Sequence, residues 1–238
     1  MNNILTKEPI RKINGVLDYI GEEARDNTDY IDNYEDMAAD RSYLASVPST
    51  EIEVILNCCE LTIDMLRLAK PIDNIIDIGC GFGHVLNQIK KTKLTVGVDI
   101  SFNRLSNLND DVTKVRALAE ELPFKSESFD LAILTDIFEH VQDEKLLVAE
   151  VLRILKPGGT LLFACPWEQD LSVYDLKEYK EKFVDYKYKH LRSVDEVMIQ
   201  DNFSDFEMIS STQIVSHMKK MLFKPYSVRF IIFKKDES

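Results

Sequence analysis

The stretch NIIDIGCGFGHVLNQIK, residues 74–90, constrains the fold of this chain more than any other segment. An apolar run typical of a buried strand leads into Gly79, Gly81 and Gly83, and a helical pattern follows. Glycine lets the backbone turn sharply and leaves room for a ligand to lie against it. A strand, a glycine turn and a helix in this order indicate a nucleotide-binding α/β fold.

The spacing of the glycines separates three kinds of nucleotide site. A Walker A loop needs a Lys–Ser/Thr pair after its last glycine, but His84 and Val85 follow Gly83. The dinucleotide fingerprint G-x-G-x-x-G would need a glycine at position 84, which weakens a nicotinamide oxidoreductase as an alternative. The pattern present is D-x-G-x-G-x-G, beginning at Asp77. A glycine turn without a ligand is the remaining alternative.

An acidic residue at the end of the next strand-like run favours a nucleotide ligand. Asp99 ends the run TVGVD, about 20 residues after Gly79. At that distance nucleotide folds place a carboxylate on the ribose hydroxyls. Charge-assisted hydrogen bonds of this kind contribute on the order of 1.5–3 kcal/mol. A solvated carboxylate at a strand end is the structural alternative.

From residue 74 onward, strand-like and helical patterns alternate, which predicts an α/β fold with a doubly wound, mostly parallel sheet. The predicted strands of the alternating region are residues 75–79, 94–99, 112–117, 129–135 and 160–165. The predicted helices are residues 4–20, 51–69, 83–91, 102–108, 143–155 and 194–202. Two further β-like runs, 206–215 and 228–233, are expected to pair antiparallel and to complete a seven-stranded sheet.

The chain is expected to have two parts. Residues 1–73 form an N-terminal helical or lid segment, and residues 74–238 form the binding domain. A charged and aromatic stretch at about residues 167–190 interrupts the alternation and is predicted to be a lid insertion after the fifth strand of the sheet.

Composition excludes several classes of partner. The formal net charge of −12 disfavours nucleic acid, because binding to phosphates depends on Lys and Arg. No apolar run reaches the ~18 residues of a membrane span, and the N-terminus lacks the apolar core of a signal peptide. The four cysteines form no CxxC pair, so a reduced, cytoplasmic protein without a zinc site is expected. A homodimer is an open alternative to a monomer.

Four segments carry a resemblance to a known family. IIDIGCGFG, VGVDIS, ALAEELPFKSESFDLAILTDIFEHV and EVLRILKPGGTLLFACP follow one another between residues 74 and 166. In this order they resemble the class I S-adenosylmethionine (SAM)-dependent methyltransferases, most closely the small-molecule group called type 11. The segment HLRSVDEVMIQDNF is similar to the last crossover helix of such enzymes. The resemblance implies a Rossmann-like fold, SAM as cofactor and methyl transfer to a small-molecule substrate.

The resemblance also implies which residues bind SAM. The glycine turn would line the methionine part, with one carboxylate near its amino group, while the following strand ends would hold the ribose, the adenine and the sulfonium. The implied cofactor-binding residues are Asp77, Gly79, Cys80, Gly81, Gly83, Asp99, Ile100, Ala119, Glu120, Thr135 and Asp136. The chain has Leu118 where many relatives carry an aspartate that accepts from the adenine amine. Glu120 or backbone groups are the alternatives for that contact.

Methyl transfer from a sulfonium mainly requires alignment of the acceptor, and a hydroxyl or a protonated amine also requires a base. His140 is the best-placed histidine, because DIFEHV follows the fourth strand at the active-site edge of the sheet. The alternative is that His140 packs against the next helix. Glu139, His140 and Asp143 lack further ligands in the sequence pattern, so no metal site is predicted. A SAM-binding module without catalysis is the alternative function.

The acceptor pocket is expected to come from the two irregular segments of the chain, which are rich in tyrosine. Aromatic side chains with polar tips suit a lid that excludes water and binds a moderately polar molecule. Arg41 is a candidate partner for the SAM carboxylate. The tyrosines are Tyr30, Tyr34 and Tyr43 in the first segment and Tyr174, Tyr179, Tyr186 and Tyr188 in the second.

Overall fold

The computed structural model describes residues 4–21, 28–39, 49–90, 92–177, 180, 189–215 and 227–237. The strands are β1 Arg11–Ile13, β2 Val16–Asp18, β3 Asn74–Ile78, β4 Leu94–Asp99, β5 Thr113–Arg116, β6 Phe129–Thr135, β7 Leu155–Trp167, β8 Phe206–Val215 and β9 Ser227–Lys235. The helices are α1 Thr28–Ala39, α2 Ser49–Ala69, α3 His84–Gln88, α4 Phe102–Ser106, α5 Glu144–Ile154 and α6 Glu196–Asn202, and a 3₁₀ helix spans Leu171–Asp175.

The strands form one sheet in the order β1-β2-β5-β4-β3-β6-β7-β9-β8. β5, β4, β3, β6 and β7 are parallel, and β9 pairs antiparallel with both β7 and β8. The predicted doubly wound α/β fold and the antiparallel pairing of the last two runs are therefore confirmed. The predicted strand number is wrong, because the described residues form nine strands rather than seven.

The two additional strands come from a segment predicted to be helical. Residues 4–20 form the hairpin of β1 and β2, in which Ile13 pairs with Val16 across Asn14 and Gly15. Both turn residues have positive φ, 48° and 81°, as a two-residue hairpin turn requires. β2 then pairs parallel with β5 and extends the sheet. The Asn-Gly dipeptide was the sequence signal for this hairpin, and the helical prediction overlooked it.

Both faces of the central strands are buried. Because successive residues point to opposite faces, these strands are almost continuously apolar. In β3, Ile76 and Ile78 pack in a cluster with residues of α5 and α6, while Ile75 packs on the opposite face with residues of α2. The predicted helix at residues 51–69 is confirmed as α2. The domain division at residue 73 stays a prediction, although β2 of the first part shares a sheet with β5 of the second.

The hairpin is attached to the sheet by a buried carboxylate. Asp18 is fully buried, and its Oδ2 lies 2.6 Å from Nε of Arg11 and 3.4 Å from a terminal nitrogen of Arg116. One of its oxygens also accepts from the Ile20 N–H at 3.0 Å. Removing one member of a buried ion pair is strongly destabilising because the other charge remains buried.

We expect Asp18→Ala to lower the free energy of unfolding by about 3 kcal/mol, since the guanidinium of Arg116 then loses a buried partner. Urea unfolding followed by circular dichroism measures this as a lower midpoint with an unchanged slope. Asp110→Ala is the matched control, because Asp110 is fully exposed and pairs with Lys114 at 3.7 Å. A midpoint shift as small as that of the control would contradict the stabilising role of Asp18.

Candidate active site

The glycine turn after β3 is packed against the neighbouring strand and the loop after β6. The N–H groups of Gly79 and Cys80 both donate to the carbonyl of Val98, at 2.8 and 2.9 Å. Gly79 has φ of +75°, and a Cβ added there would lie 2.5 Å from Cδ1 of Ile137. Only glycine fits this position, because both the conformation and the space exclude a side chain.

The other residues of the turn have different roles. The Gly81 N–H donates to Oδ2 of Asp99 at 2.9 Å. A Cβ at Gly83 would lie 2.3 Å from Cδ2 of Leu108, so this glycine allows the start of α3 to pack closely. The thiol of Cys80 is buried in an apolar cluster, and burial raises its pKa well above the usual value. Its side chain therefore belongs to the core.

Asp99 is the anchor of the site. Its Oδ1 accepts from the Ser101 N–H at 2.8 Å, while its Oδ2 accepts from Gly81 and lies 3.8 Å from a terminal nitrogen of Arg104. The carboxylate is almost completely buried. Each carboxylate oxygen has two lone pairs, so both retain capacity for a ligand hydroxyl.

A cavity opens at the carboxyl ends of β3, β4, β5 and β6. Cavities in this position bind ligands in doubly wound sheets. Many of the sequence-predicted site residues meet here, while Asp77, Cys80, Gly81, Gly83 and Thr135 do not line the cavity. The predicted residues that line it are Gly79, Asp99, Ile100, Ala119, Glu120, Asp136 and His140, and Leu118 is part of the same wall.

Asp77 is a buried acid, and one of its carboxylate oxygens accepts no hydrogen bond from the described residues. Only 1% of the residue is exposed, and its Oδ1 has no hydrogen-bond partner among the described residues. Burial and, secondarily, the charge of Asp99 raise the pKa of Asp77 to about 8. An unpaired buried carboxylate fits a cationic ligand group such as an amino group, which supplies both charge and hydrogen bonds.

The loop after β6 contains three titratable residues, Asp136, Glu139 and His140. Asp136 has a positive φ of 51°. Glu139 is buried, and neither of its carboxylate oxygens has a hydrogen-bond partner among the described residues. Burial and the nearby Asp136 raise the pKa of Glu139 well above its usual range. Burial, followed by the charges of His190 and Arg104, lowers the pKa of His140 well below 6.5, so its imidazole is neutral at pH 7.

His190, which no sequence motif singled out, lies next to His140. The centres of the two imidazole rings are 4.7 Å apart, and the rings are perpendicular. Nδ1 of His190 is hydrogen-bonded to Oε1 of Gln169, and the His190 N–H donates to the hydroxyl of Tyr174 at 3.1 Å. Burial lowers the pKa of His190 to about 4.

Backbone hydrogen bonds hold these two segments together. One terminal nitrogen of Arg192 donates to the carbonyls of Phe138 and Val141, each at 2.7 Å. The Leu191 N–H donates to the carbonyl of Glu139 at 2.8 Å. The positions of Glu139 and His140 relative to His190 are therefore fixed by several contacts between residues about 50 positions apart.

Helix α1 covers the cavity with two of the predicted tyrosines. Tyr30 and Tyr34 line the cavity, and the Tyr30 hydroxyl donates to the carbonyl of His140 at 3.4 Å. The guanidinium of Arg104 lies 5.6 Å from the centre of the Tyr34 ring. Predictions for Arg41 and for four further tyrosines lie outside the described residues. Those tyrosines are Tyr43, Tyr179, Tyr186 and Tyr188.

Glu35 attaches this helix to the start of α4. Its carboxylate accepts from the Ser101 hydroxyl at 2.9 Å and from the N–H groups of Phe102 and Asn103 at 2.5 and 3.2 Å. It also lies 3.4 Å from a terminal nitrogen of Arg116. Glu35 thus attaches helix α1, which covers the cavity, to the turn that directly follows Asp99.

Comparison with known proteins agrees with this architecture. Residues 76–163 match the family model described as a methyltransferase domain. The matched segment contains the glycine turn, Asp99 and the loop with His140. This segment of the chain is thus similar to the methyltransferase domain family. It includes the carboxyl ends of β3, β4, β5 and β6, where the cavity opens.

Proteins similar to this chain differ in what their names report. An uncharacterized protein of Methanocaldococcus jannaschii is 28% identical over 157 residues, which cover 64% of this chain and 74% of that protein. The ubiquinone/menaquinone biosynthesis C-methyltransferase of Vibrio parahaemolyticus is 34% identical over 126 residues, 45% of this chain and 48% of the enzyme. This chain thus spans about half the length of that enzyme.

Solved structures support the fold. A Thermotoga maritima protein described as a SAM-dependent methyltransferase, possible histamine N-methyltransferase, matches with a TM-score of 0.57 and 21% identity. The match covers 87% of this chain and 99% of that one. Within the described part of the chain, every helix is too short or too polar to span a bilayer.

The contacts of Glu35 predict that it controls the closure of α1 over the cavity. Charge-assisted hydrogen bonds are worth about 2–3 kcal/mol, so Glu35→Ala should increase amide hydrogen exchange in residues 28–39 by roughly 30- to 150-fold. Mass spectrometry after deuterium labelling measures this. Asp32→Ala is the matched control, because Asp32 is an exposed acid on the same helix. Equal exchange in the two variants would show that Glu35 does not hold the helix.

Proposed function

We propose that this protein transfers a methyl group from SAM to a hydroxyl or an amine of a small molecule. The observation that carries the proposal is the cavity at the ends of the parallel strands, because six of the eleven residues that the family pattern assigns to SAM line it. The net charge of −12 favours a small acceptor over a nucleic acid.

The residues at the cavity fit the parts of SAM in chemistry. Asp99 would accept hydrogen bonds from ribose hydroxyls, and the apolar side chains of Ile100 and Leu118 would contact the adenine. Leu118 accepts no hydrogen bond, and one Glu120 oxygen already accepts from the Gln142 N–H at 3.0 Å. Backbone groups of Ala119 and its neighbours therefore remain for recognition of the adenine amine. Asp77 would pair with the amino group.

The acceptor would lie between the sulfonium and the loop after β6. Alignment of acceptor and methyl group supplies up to ~7–11 kcal/mol of the rate enhancement in such reactions. His140 lines the cavity and is neutral at pH 7, so its imidazole can take a proton from an acceptor hydroxyl. The tyrosines of α1 would exclude water from this space.

The acceptor atom is the open part of this proposal. The similar proteins described above carry names for both carbon and nitrogen methylation. A SAM-binding module without catalysis is the alternative function. The two are separated by incubating the protein and SAM with a small-molecule extract and measuring S-adenosylhomocysteine. Formation only with extract supports transfer, whereas SAM binding without product in any extract supports the binding module.

The raised pKa of Asp77 predicts proton release when SAM binds. At pH 7, below its pKa of about 8, the ligand-free Asp77 is mostly protonated. A bound ammonium group stabilises the carboxylate, so close to one proton should leave per SAM bound at pH 6.5–7. Calorimetry in buffers of different ionisation enthalpy measures the number of protons. Asp77→Asn should bind SAM more weakly and release none; equal release from wild type and variant would place the proton elsewhere.

The position of His140 predicts a selective effect on turnover. For a hydroxyl acceptor, His140→Ala should lower kcat by ~10²–10⁴ while the affinity for SAM changes little, because the side chain acts on the acceptor. Product formation and calorimetry with SAM measure the two quantities separately. For an acceptor amine that is already neutral, the loss should be small. Parallel loss of SAM affinity and kcat would instead indicate that His140 supports the cofactor pocket.

A further inference from the structure

Glu139, His140 and His190 place three metal-binding side chains together, and His140 is part of the wall of the cavity. One ligand atom from each lies within 4.8 Å of those of the other two. We propose that these three residues form a binding site for a divalent transition-metal ion, beside the place where the methyl acceptor binds. The proposal deepens the proposed function, on which its catalytic part rests.

The distances require only a small contraction. Metal ions such as Zn²⁺ bind histidine nitrogen and carboxylate oxygen at about 2.0–2.2 Å, which puts neighbouring ligand atoms roughly 3–4 Å apart. The ligand atoms lie within 4.8 Å of one another, so they exceed that spacing by at most about 1–2 Å. Rotation of the three side chains toward an ion would shorten these distances.

The carboxylate of Glu139 is the independent observation that points to a ligand. The residue is 1% exposed, and neither oxygen has a hydrogen-bond partner among the described residues. The buried Nδ1 of His140 also has no partner among them. Buried polar atoms of this kind are unfavourable unless a partner neutralises them, and a bound cation would neutralise the carboxylate. Nε2 of His140 lies 3.8 Å from Oε1 of Glu139, which is too long for a hydrogen bond between the two side chains.

Surrounding residues orient the site as they do in metalloproteins. Metal-binding histidines usually donate their second ring N–H to a carbonyl or a carboxylate, which fixes the ring and its tautomer. Oε1 of Gln169 is the partner of Nδ1 of His190, which leaves the Nε2 lone pair of His190 for a metal. Gln169 is itself buried, and Arg192 clamps the loop that carries Glu139 and His140.

The ligand set indicates which ions to expect. Two imidazoles and one carboxylate suit Zn²⁺, Mn²⁺, Fe²⁺ or Co²⁺ better than Mg²⁺ or Ca²⁺, which prefer oxygen ligands. Three protein ligands leave at least one position open. His140 lines the cavity, so a metal ion held by it would be within reach of an acceptor bound there.

A bound ion would change the role assigned to His140. An acceptor hydroxyl on the metal loses its proton to solvent more readily, and the resulting oxygen attacks the methyl carbon. The new O–CH₃ bond forms as the S–CH₃ bond breaks, its electron pair goes to sulfur, and a neutral thioether leaves. In the metal-loaded protein His140 is a ligand, and the ion replaces it in making the hydroxyl reactive.

The test begins with chelator-treated, full-length protein. Titration with Zn²⁺ and Mn²⁺ by calorimetry, and elemental analysis after gel filtration, should give one ion per chain; Co²⁺ should give visible absorption bands. Glu139→Gln and His190→Asn should each weaken binding by more than 100-fold, and Gln169→Ala by ~10–100-fold. The matched control is His84→Asn, because His84 is an exposed histidine outside the cluster and should leave binding unchanged.

Each outcome decides the question. Absence of a bound ion, or equal binding by Glu139→Gln, His190→Asn and the control, overturns the metal site. Metal binding is measured beside SAM binding on the same samples, so SAM binding without metal overturns only this inference. Metal binding without SAM binding or product overturns only the proposed function. Thermal unfolding verifies that each variant folds, and if Glu139→Gln does not fold, His190→Asn and Gln169→Ala decide the result.

Discussion

The buried carboxylate of Asp99 links the parts of the cavity. It accepts from Gly81 in the turn after β3 and from Ser101 in the turn after β4. Since these turns follow neighbouring parallel strands, one side chain sets the distance between them. Glu35 of α1 then accepts from the same Ser101 through its hydroxyl. Asp99 and Glu35 together therefore join the glycine turn, the turn after β4 and helix α1, which covers the cavity.

A second set of contacts holds residues 191 and 192 against the loop after β6. Arg192 donates to carbonyls of the loop after β6, and the neighbouring Leu191 is bonded to Glu139. These contacts hold polar side chains in an apolar environment, where desolvation shifts the pKa of each toward its neutral form. Two buried carboxyl groups thus have oxygens without a hydrogen-bond partner among the described residues, Asp77 at the end of β3 and Glu139 in the loop after β6. Such groups are typical of sites that a ligand completes.

The central fold was predictable because its signals are local and repeated. Continuous apolar runs such as that of β3 mark strands buried on both faces, and α2 shows a long helical pattern. Helix ends were less predictable: α3 ends at Gln88, three residues before the predicted end. The hairpin at residues 11–18 was missed because its strands are three residues long, so the turn dipeptide was the only strong signal.

The sequence by itself determined the α/β order, the glycine spacing and the carboxylates Asp77 and Asp99, since strand ends in a parallel sheet always meet at one edge. Only the tertiary structure decided that Gly79 alone of the three turn glycines lines the cavity, because this depends on how the loop after β6 and Leu108 pack. It also decided that His190 joins His140. Contacts between residues so far apart arise from packing of the whole chain, which no local pattern encodes.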